Sequence, residues 1–467
     1  MYSIEKKIKH DSFTNTNKLI LEFLSLFSNI FVINVGNIKL DYDNDINKLL
    51  RVFNVVDYSE INNLLIPENA FIWIVNQNTK IYSRELYGSL IYKNSNSDII
   101  YFDEELKFQD KIYPFLKPCW SPIYFRYNNI GNAVWIKFKL FKSLHNFDFD
   151  LFKADISNFS NLRISYLSEI LSITEVKTLE ISNNFKPKFK NLNNNGLTSI
   201  IILTKDKPEY LERLVNSINS NTYKIKYEII IVDHESKEDK TIKLLNQYSK
   251  EPNIKVIKYS GIFNYSVMNN LAVSNSSGDY LAFLNNDVEI LDNTWITKCL
   301  SYLTEDTKVG VIGSKLIYPN KTIQHCGISV GIYSTAGHLQ RGSLLSDPGY
   351  MNTLLYPHEV LAVTGAFMFI TRKLFDEVGG FDKNYPVILN DVDLCLKVYE
   401  KGYRNIVLSD LISVHYEGVT RGVNKNMNKE DQNIISRFWR KWGKYVKNDP
   451  YFNKHFSRNS ENIEIID

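Results

Sequence analysis

Hydroxyl, acid and amide side chains stand where three apolar runs of the sequence end. They are Thr204 and Asp206 after LTSIIIL, Asp233 at the end of YEIIIVD, and Asn285, Asn286 and Asp287 after YLAFL. The turn after the first run, TKDKPE, has no glycine, so it does not predict a loop that cradles phosphates with backbone N–H groups. Oxygen donors of this kind favour a nucleotide whose diphosphate is held through a metal ion.

The runs alternate with segments of helical spacing, and these elements must position the polar ends. The helical segments are PEYLERLVNSINSN, DKTIKLLNQYSK and NYSVMNNLAVSNS. This alternation predicts an α/β domain built on a doubly wound sheet. Such sheets bind ligands beyond the carboxyl ends of their strands, so we expect the polar ends to converge at one crevice.

Composition limits the classes of protein that need to be considered. A chain of 467 residues predicts two or three domains, and 55 basic against 52 acidic residues argue against a nucleic-acid partner. Four cysteines without a CxxC pair indicate a reducing compartment. The first residues lack the apolar core of a signal peptide, and no window has the roughly 18 apolar residues of a membrane span. We therefore expect a cytoplasmic protein, with peripheral membrane contact left open.

The polar stretch SNNFKPKFKNLNNNG, residues 182–196, indicates a linker between two domains. The predicted arrangement is an N-terminal domain over 1–181, a catalytic domain over 197–425, and a C-terminal segment over 426–467. The last segment contains a basic, aromatic amphipathic helix in IISRFWRKWGKYVKNDPYF. That helix either packs against the catalytic domain or lies on a membrane surface. A homodimer also stays open.

From Leu197 to Phe456 the chain resembles the large, inverting family 2 glycosyltransferases with the GT-A (nucleotide-diphospho-sugar transferase) fold, particularly bacterial O-antigen and rhamnosyl-type members. The resemblance implies transfer of a sugar from a UDP- or dTDP-sugar to a hydroxyl of a glycan or lipid-linked glycan acceptor. Leu203, His234 and Glu235 depart from the usual family pattern. The stretches that carry the resemblance are LTKDKPEYL, IIIVDHES, FNYSVMNNLAV, GDYLAFLNNDVEIL, VTGAFMFITRKLFDEVGGFD, NDVDLCLKVYEKGYR, SVHYEG and DPYFNKHFS.

The resemblance places Asn285 and Asp287 at the two ends of the family's DxD motif and His415 at the end of a late strand. It implies that Asp287 and His415 bind the divalent metal, Mn²⁺ or Mg²⁺, that carries the donor diphosphate. A turn-capping role is the alternative for Asp287, and an ordinary hydrogen-bonded role is the alternative for His415.

Asp391, in NDVDLCLKVYE, stands where the family has its catalytic carboxylate. The resemblance implies that it takes the proton from the acceptor hydroxyl, with Asp393 as a supporting neighbour. The pattern predicts a helix from about Asn390, which replaces the family's commoner Glu. Acids in the first turn of a helix are also favoured by the helix dipole, so a purely structural role is the alternative.

A wider set of residues is expected around the donor and the acceptor. Each has an alternative as a strand-end cap, a surface side chain or part of a solvated loop. Small residues at Gly365 and Ala366 would permit close approach of the donor sugar. The nucleotide set is Thr204, Asp206, Asp233, Asn270 on the facing helix, Asn285, and Thr420 with Arg421 near the diphosphate; the acceptor set is His325, His338 and Arg341.

The N-terminal part of the chain repeats the apolar pattern of the catalytic part. FIWIVNQNTKIY lies under YLAFLNNDVEIL with Asn78 under Asp287, and YLSEILSIT lies under VLSDLISVH with Thr174 under His415. This predicts a smaller, degenerate α/β copy of the same fold that serves as scaffold, dimer contact or acceptor platform; chance similarity is the alternative. Two other functions stay open: an inactive carbohydrate-binding or scaffold protein, and a nucleotidyl transferase.

Overall fold

The computed structural model describes residues 30–35, 50–55, 68, 70–75, 79–81, 90, 93–128, 131–143, 162–176, 196–222, 225–416 and 429–466. The chain divides into two compact units. The first comprises Met1–Trp120 with Asn128–Asn183, and the second comprises Ser121–Tyr127 with Asn184–Asp467. Asn78, Thr420 and Arg421 lie outside the described residues.

The first unit is built on a mixed sheet. Its strands are β1 (Ile30–Val35), β2 (Leu50–Val55), β3 (Phe71–Val75), β4 (Thr79–Ile81), β5 (Ile99–Phe108), β6 (Lys111–Phe115), β7 (Ala133–Lys137) and β8 (Ile164–Glu175). The strand order is β2-β1-β3-β7-β5-β8-β4, with β6 paired to β5. Helix α1 (Tyr124–Tyr127) groups with the second unit, and α2 (Phe138–Ser143) follows β7.

The second unit alternates strands and helices in its first half. Its strands are β9 (Thr198–Thr204), β10 (Tyr227–Asp233), β11 (Ile254–Lys258), β12 (Tyr280–Asn285), β13 (Val288–Ile290), β14 (Val309–Ile317), β15 (Ile323–His325), β16 (Ile328–Val330), β17 (Ala336–His338), β18 (His358–Val360), β19 (Phe367–Thr371) and β20 (Arg404–His415). Its helices are α3 (Pro208–Asn221), α4 (Asp239–Tyr248), α5 (Tyr265–Ser274), α6 (Trp295–Glu305), α7 (Arg372–Glu377), α8 (Asn390–Glu400) and α9 (Lys429–Lys447), with 3₁₀ turns at Ile332–Ser334 and Tyr350–Asn352.

The main sheet of this unit has the order β11-β10-β9-β12-β19-β14-β20-β13. Strands β9 to β12 are mutually parallel where they pair, and β19 runs antiparallel to β12. The prediction of an α/β class with a doubly wound mixed sheet is confirmed, and the sheet has the curled GT-A type. Four strands alternate with three helices between Thr198 and Asn285, as the sequence pattern predicted.

Two apolar layers cover the two faces of this sheet. Adjacent residues of a strand point to opposite faces, so Ile200 and Ile202 contribute to one layer and Ile201 to the other. Continuous β-branched runs form these strands because both faces are buried, which is typical of parallel sheets. The two buried layers hold the strand ends in place and so position the polar residues that follow them.

The C-terminal helix α9 packs on the second unit. Its buried residues Ile434, Phe438, Trp442 and Val446 belong to the same apolar layer as α5 and α8. Packing is therefore the observed use of the apolar stripe that the sequence predicted. No described helix combines the length and apolar character that crossing a membrane requires.

The segment Ser121–Tyr127 completes the second unit from a distant part of the chain. Both carboxylate oxygens of the fully buried Glu359 accept from this segment, from Ile123 N at 2.8 Å and from Tyr124 N at 3.0 Å. The ring of Tyr127 stacks on that of Tyr356 at 4.9 Å between centroids. The second unit is therefore discontinuous in sequence.

Candidate active site

Asp287 and His415 meet because of one strand pairing. The chain turns after β12, and β13 then runs antiparallel to β20 with Val288 opposite His415. The backbone carbonyl of Asp287 accepts from Tyr416 N at 2.9 Å. As a result Asp287 Oδ1 lies 3.0 Å from His415 Nε2, and both side chains are buried.

The donor chemistry of this pair fits Mn²⁺ or Mg²⁺. Carboxylate oxygen suits both ions, and imidazole nitrogen suits Mn²⁺ better. Adjacent ligands of an octahedral ion with bonds of about 2.1 Å lie about 3 Å apart, which matches the separation of Asp287 Oδ1 and His415 Nε2. Among the described residues no group of three His, Cys, Asp or Glu side chains could hold a metal ion, so the described part of the protein would supply only these two ligands. Two protein ligands suffice where phosphates and water fill the other positions.

A third buried side chain contacts the histidine. Gln324 lies in β15, and its Oε1 is 2.8 Å from His415 Nδ1. Strand β15 reaches this position by antiparallel pairing with β14, where Leu316 lies opposite His325. Gln324 was not predicted, because nothing local in TIQHCG signals a partner 91 residues away.

The polar ends of β9, β10 and β12 converge. Asn286 Nδ2 donates to Thr204 Oγ1 at 3.2 Å, and Asp233 Oδ1 accepts from Ser236 N at 3.1 Å. Ser236 Oγ in turn accepts from Asp206 N at 2.9 Å. These contacts confirm that the strand ends share one edge of the sheet. Asn286 belongs to the polar strand ends that were expected to converge, whereas Ser236 was not predicted.

Asp206 lies at this edge and also has a structural role. Its Oδ1 accepts from Lys237 N at 2.7 Å and from Glu238 N at 2.8 Å, directly before α4. The backbone of Asp206 is left-handed, with a φ of 51°, a conformation that Asp adopts more readily than most residues. Asp206 thereby ties the loop after β9 to the loop after β10.

The structure places the remaining nucleotide candidates less uniformly. Asn285 is half-buried at the end of β12, and its N–H donates to Ala366 O at 3.1 Å. Asn270 lies within α5, where its amide bonds both backbone groups of Phe381, at 2.8 Å and 3.1 Å. Asn270 is therefore occupied in holding the turn after Gly380. Arg421 lies outside the described residues.

Asp391 is held by the backbone at Gly365, a position called the corner at Gly365. Its Oδ2 accepts from Gly365 N at 2.8 Å, and its Oδ1 accepts from Val392 N at 2.8 Å at the start of α8. Tyr265 Oη donates to Gly365 O at 2.8 Å. A Cβ on Gly365 would lie 2.9 Å from Tyr265 Oη and 3.5 Å from Asp391 Cβ, so the corner has no room for a side chain. The predicted start of the helix at Asn390 is confirmed.

Asp393, two residues later, points into the interior. It is fully buried, and its Oδ1 accepts from Lys441 Nζ at 2.7 Å and from Trp442 Nε1 at 2.8 Å, both on α9. These contacts give Asp393 a role in fastening α9 to the rest of the unit. The two acids of the NDVD motif are thus placed in different surroundings.

His325 and His338 form a close pair. Their Nδ1 atoms are 3.0 Å apart, and His325 Nε2 lies 3.5 Å from Thr364 N beside the Gly365 corner. Burial lowers the pKa of His338 to about 3, and burial followed by the neighbouring His338 lowers the pKa of His325 well below its ordinary value. The alternative of a solvated loop is therefore wrong for His325, which is fully buried. The adjacent Arg341 pairs with Glu461, with 3.3 Å between Nε and Oε2.

Two family comparisons match the second unit. Residues 199–379 match the model described as Glycosyl transferase family 2, and residues 320–457 match the model described as Glycosyl transferase family group 2. Among solved structures, GalNAc-T7 with UDP, GalNAc and Mn²⁺ is similar at a TM-score of 0.44 and 17% identity, over 55% of this chain and 50% of that one.

Curated relatives match about half of the chain. The O-antigen biosynthesis protein RfbC of Myxococcus xanthus is 31% identical over 268 residues, which is 56% of this chain and 20% of that protein. The rhamnosyltransferase WbbL of Escherichia coli (strain K12) is 23% identical over 230 residues, 46% of this chain and 82% of that protein. The chain spans one fifth of the length of RfbC. Residues 199–457, which carry Asp287, Asp391 and His415, are therefore similar to glycosyltransferase family 2 domains, and the chain has O-antigen and rhamnosyltransferase relatives at modest identity.

Proposed function

We propose that this chain is a metal-dependent, inverting glycosyltransferase. It would transfer a sugar from a UDP- or dTDP-sugar to a hydroxyl of a cell-surface glycan or lipid-linked glycan. The observation that carries the proposal is the buried pair of Asp287, which follows β12, and His415, which ends β20. Their Oδ1 and Nε2 atoms lie 3.0 Å apart. The family matches over residues 199–379 and 320–457 support the same class of reaction.

In this proposal Asp287 and His415 would hold Mn²⁺ or Mg²⁺. Such an ion, when bound, offsets the negative charge that develops on a departing nucleoside diphosphate. Thr204, Asp206 and Asp233 would bind the nucleotide, which is supported by the hydrogen bonds that join the loops after β9 and β10. Asn285 and Arg421 complete the proposed donor set.

Asp391 is the proposed general base. Inversion requires the acceptor oxygen to attack the anomeric carbon directly, while the bond from that carbon to the donor phosphate breaks. The acceptor hydroxyl loses its proton to a carboxylate oxygen of Asp391 during this attack. The N–H groups of Gly365 and Val392, each 2.8 Å from one oxygen, hold the carboxylate in one orientation.

We also propose that the first unit is a degenerate copy of the second. The two sheets support this by their strand orders, β2-β1-β3-β7-β5-β8-β4 and β10-β9-β12-β19-β14-β20-β13. Corresponding pairs run in the same directions: β3 with β7 and β12 with β19 are antiparallel, and β5 with β8 and β14 with β20 are parallel. The first sheet has no counterpart of β11 among its described strands.

The place of the metal ligands is filled differently in the first unit. Thr79 pairs with Thr174 as Val288 pairs with His415. The two threonine hydroxyls are buried and 2.9 Å apart. Two neutral hydroxyls that satisfy each other provide no carboxylate or imidazole for a cation. These contacts favour a non-catalytic role for the first unit, as a scaffold or an acceptor platform.

The experiment is donor binding and turnover across UDP-, dTDP- and GDP-sugars with the full chain, with and without Mn²⁺ or Mg²⁺. Calorimetry gives the dissociation constants, and NMR identifies the released nucleotide and the anomer of the product. We expect one donor to bind only with metal, to release a nucleoside diphosphate, and to lose binding in the Asp287→Asn variant. Asn78→Asp is the matched variant in the first unit and should leave binding unchanged.

Two outcomes would contradict the proposal. Absence of donor binding with either metal would favour the inactive carbohydrate-binding alternative, and glycan binding by the same chain would then be measured. Release of pyrophosphate would favour nucleotidyl transfer. Unchanged donor binding in Asp287→Asn would assign Asp287 to turn capping.

A further inference from the structure

Gln324 belongs to the site but has no chemical role in the proposed reaction. Its side chain is neutral and 3% exposed, and it neither binds protons nor attacks a substrate. Yet its Oε1 lies 2.8 Å from His415 Nδ1, on the side of the ring opposite the contact with Asp287. A buried polar side chain placed in this way must accept or donate at that nitrogen.

The imidazole has only one arrangement that suits an acceptor at Nδ1 and a cation at Nε2. A neutral ring donates from one nitrogen and offers a lone pair at the other. With Nδ1–H donating to Gln324 Oε1, the lone pair at Nε2 faces Asp287 Oδ1 across 3.0 Å. If the ring carries both protons, it donates to Gln324 and to Asp287 at once. Gln324 accepts from the same Nδ1–H in both forms.

We propose that Gln324 is a positioning residue that fixes His415 with its Nε2 lone pair available to a divalent cation. The proposal rests on the proposed function, since it assigns Asp287 and His415 as the metal ligands. Metal-binding histidines commonly donate their second N–H to a fixed acceptor, which sets the tautomer and the ring orientation. An uncharged acceptor does this without adding a second negative charge to the ring that Asp287 already contacts.

The rigidity of this arrangement comes from the strand that carries Gln324. Strand β15 is fully buried. His325 follows Gln324 in this strand, and its ring lies against Thr364 N beside the corner at Gly365 that holds Asp391. Two consecutive side chains of one strand therefore reach the proposed metal ligand and the corner that holds the proposed base. A shift of β15 would move both centres together.

The test compares the full chain with its Gln324→Leu and Gln324→Glu variants. Electron paramagnetic resonance of Mn²⁺ in the presence of UDP gives the metal affinity. ¹⁵N NMR of histidine-labelled protein with Mg²⁺ and UDP gives the protonation of each ring nitrogen of His415, which is assigned by loss of its signals in His415→Gln. Circular dichroism verifies that each variant is folded.

We expect the wild-type ring to carry its proton on Nδ1. Gln324→Leu should weaken Mn²⁺ binding by about 10- to 100-fold, the range typical for loss of such an outer partner. Gln324→Glu restores the acceptor and should recover at least half of that loss on a logarithmic scale. Recovery by the carboxylate separates positioning from a merely structural role.

Three results would overturn the inference: a proton on Nε2 in the wild type loaded with Mg²⁺ and UDP, Mn²⁺ affinity of a folded Gln324→Leu variant equal to that of the wild type, or no recovery in Gln324→Glu. If Gln324→Leu does not fold, the wild-type NMR signals and the Gln324→Glu affinity still decide. The proposed function fails separately, through absence of Mn²⁺ and nucleotide binding by the wild type. In that case Gln324 has no metal ligand to position.

Discussion

Asp287 Oδ1 lies 3.0 Å from His415 Nε2, although 128 residues separate them along the chain. The short strand β13 brings about this contact, since its antiparallel register with β20 sets Val288 opposite His415. A change of register by one residue would turn each side chain to the other face of the sheet. The candidate metal site therefore depends on a strand of only three residues.

The first prediction concerns Asp391. We expect Asp391→Asn to lower kcat by about 10²- to 10⁴-fold, because the amide cannot take the proton from the acceptor hydroxyl. The dissociation constant of the donor should not change, since the proposed donor contacts belong to other residues. Steady-state kinetics and calorimetry on the same preparation measure both quantities. Equal loss of donor binding would show that Asp391 supports the fold of the pocket instead.

The second prediction separates Asp393 from Asp391. Asp393→Ala removes the acceptor of Lys441 and the buried Trp442 Nε1. We expect the free energy of unfolding to fall by about 3 kcal/mol, measured by urea denaturation, because buried donors are left without a partner. Asp382→Ala is the control, since Asp382 is the more exposed, 3.9 Å partner of the same Lys441 and should cost less than about 1 kcal/mol. A loss below that of the control would contradict the fastening role.

The third prediction tests the corner at Gly365. In Gly365→Ala the new methyl would meet Tyr265 Oη at 2.9 Å and must displace it or the corner itself. We expect kcat to fall about 10-fold or more, because small displacements of a reacting group are costly. Combining the change with Tyr265→Phe removes the colliding oxygen and should recover part of the loss. Full activity of the single variant would show that the corner tolerates movement.

The fourth prediction is a pH dependence of stability. Burial raises the pKa of Asp449 from its ordinary value to about 6, against hydrogen bonds from Val330 N, Tyr451 N and Ser329 Oγ. The folded state then holds this proton where the unfolded state has lost it, so stability is lost as pH rises from about 4 to about 6. Relative to Asp449→Asn, the unfolding free energy of the wild type should fall by about 3 kcal/mol over this range. A difference that stays constant or grows with pH would contradict the assignment.

The fifth prediction concerns Glu359. Glu359→Ala leaves the N–H groups of Ile123 and Tyr124 buried without their acceptor, at about 1–3 kcal/mol each. We expect a loss of about 3 kcal/mol or more in the free energy of unfolding of the second unit. Glu305→Ala is the control, since it breaks only the exposed ion pair with Arg126 and should cost about 0–1 kcal/mol. Similar losses in both variants would show that Ser121–Tyr127 adds little to the unit.

The elements that follow from local sequence were predictable. Runs such as LTSIIILT are buried on both faces, and PEYLERLVNSINSN has one apolar stripe, so β9 and α3 follow from their periodicity. The convergence of Thr204 and Asp233 also follows, because parallel strands end at one edge. The roles of Asp287, His415 and Asp391 came from a family resemblance and stay predictions.

Contacts that depend on tertiary pairing were not predictable. Gln324 reaches His415 only because β15 pairs with β14, and no periodicity in a three-residue strand announces that. His325 looked like a candidate of a glycine-rich loop, yet it is fully buried against His338. Ser121–Tyr127 was expected in the N-terminal domain and groups with the second unit, because its partners Glu359 and Tyr356 lie far along the chain.

The discontinuity of the second unit has a consequence for biosynthesis. Ile123 leaves the ribosome 236 residues ahead of Glu359, the residue that accepts its N–H. The first unit can begin to fold while this segment still has no partner. Closing so long a loop is slow compared with local helix formation, and it comes late. Until Glu359 is synthesised, the N–H groups of Ile123 and Tyr124 and the ring of Tyr127 stay accessible to proteins that bind nascent chains.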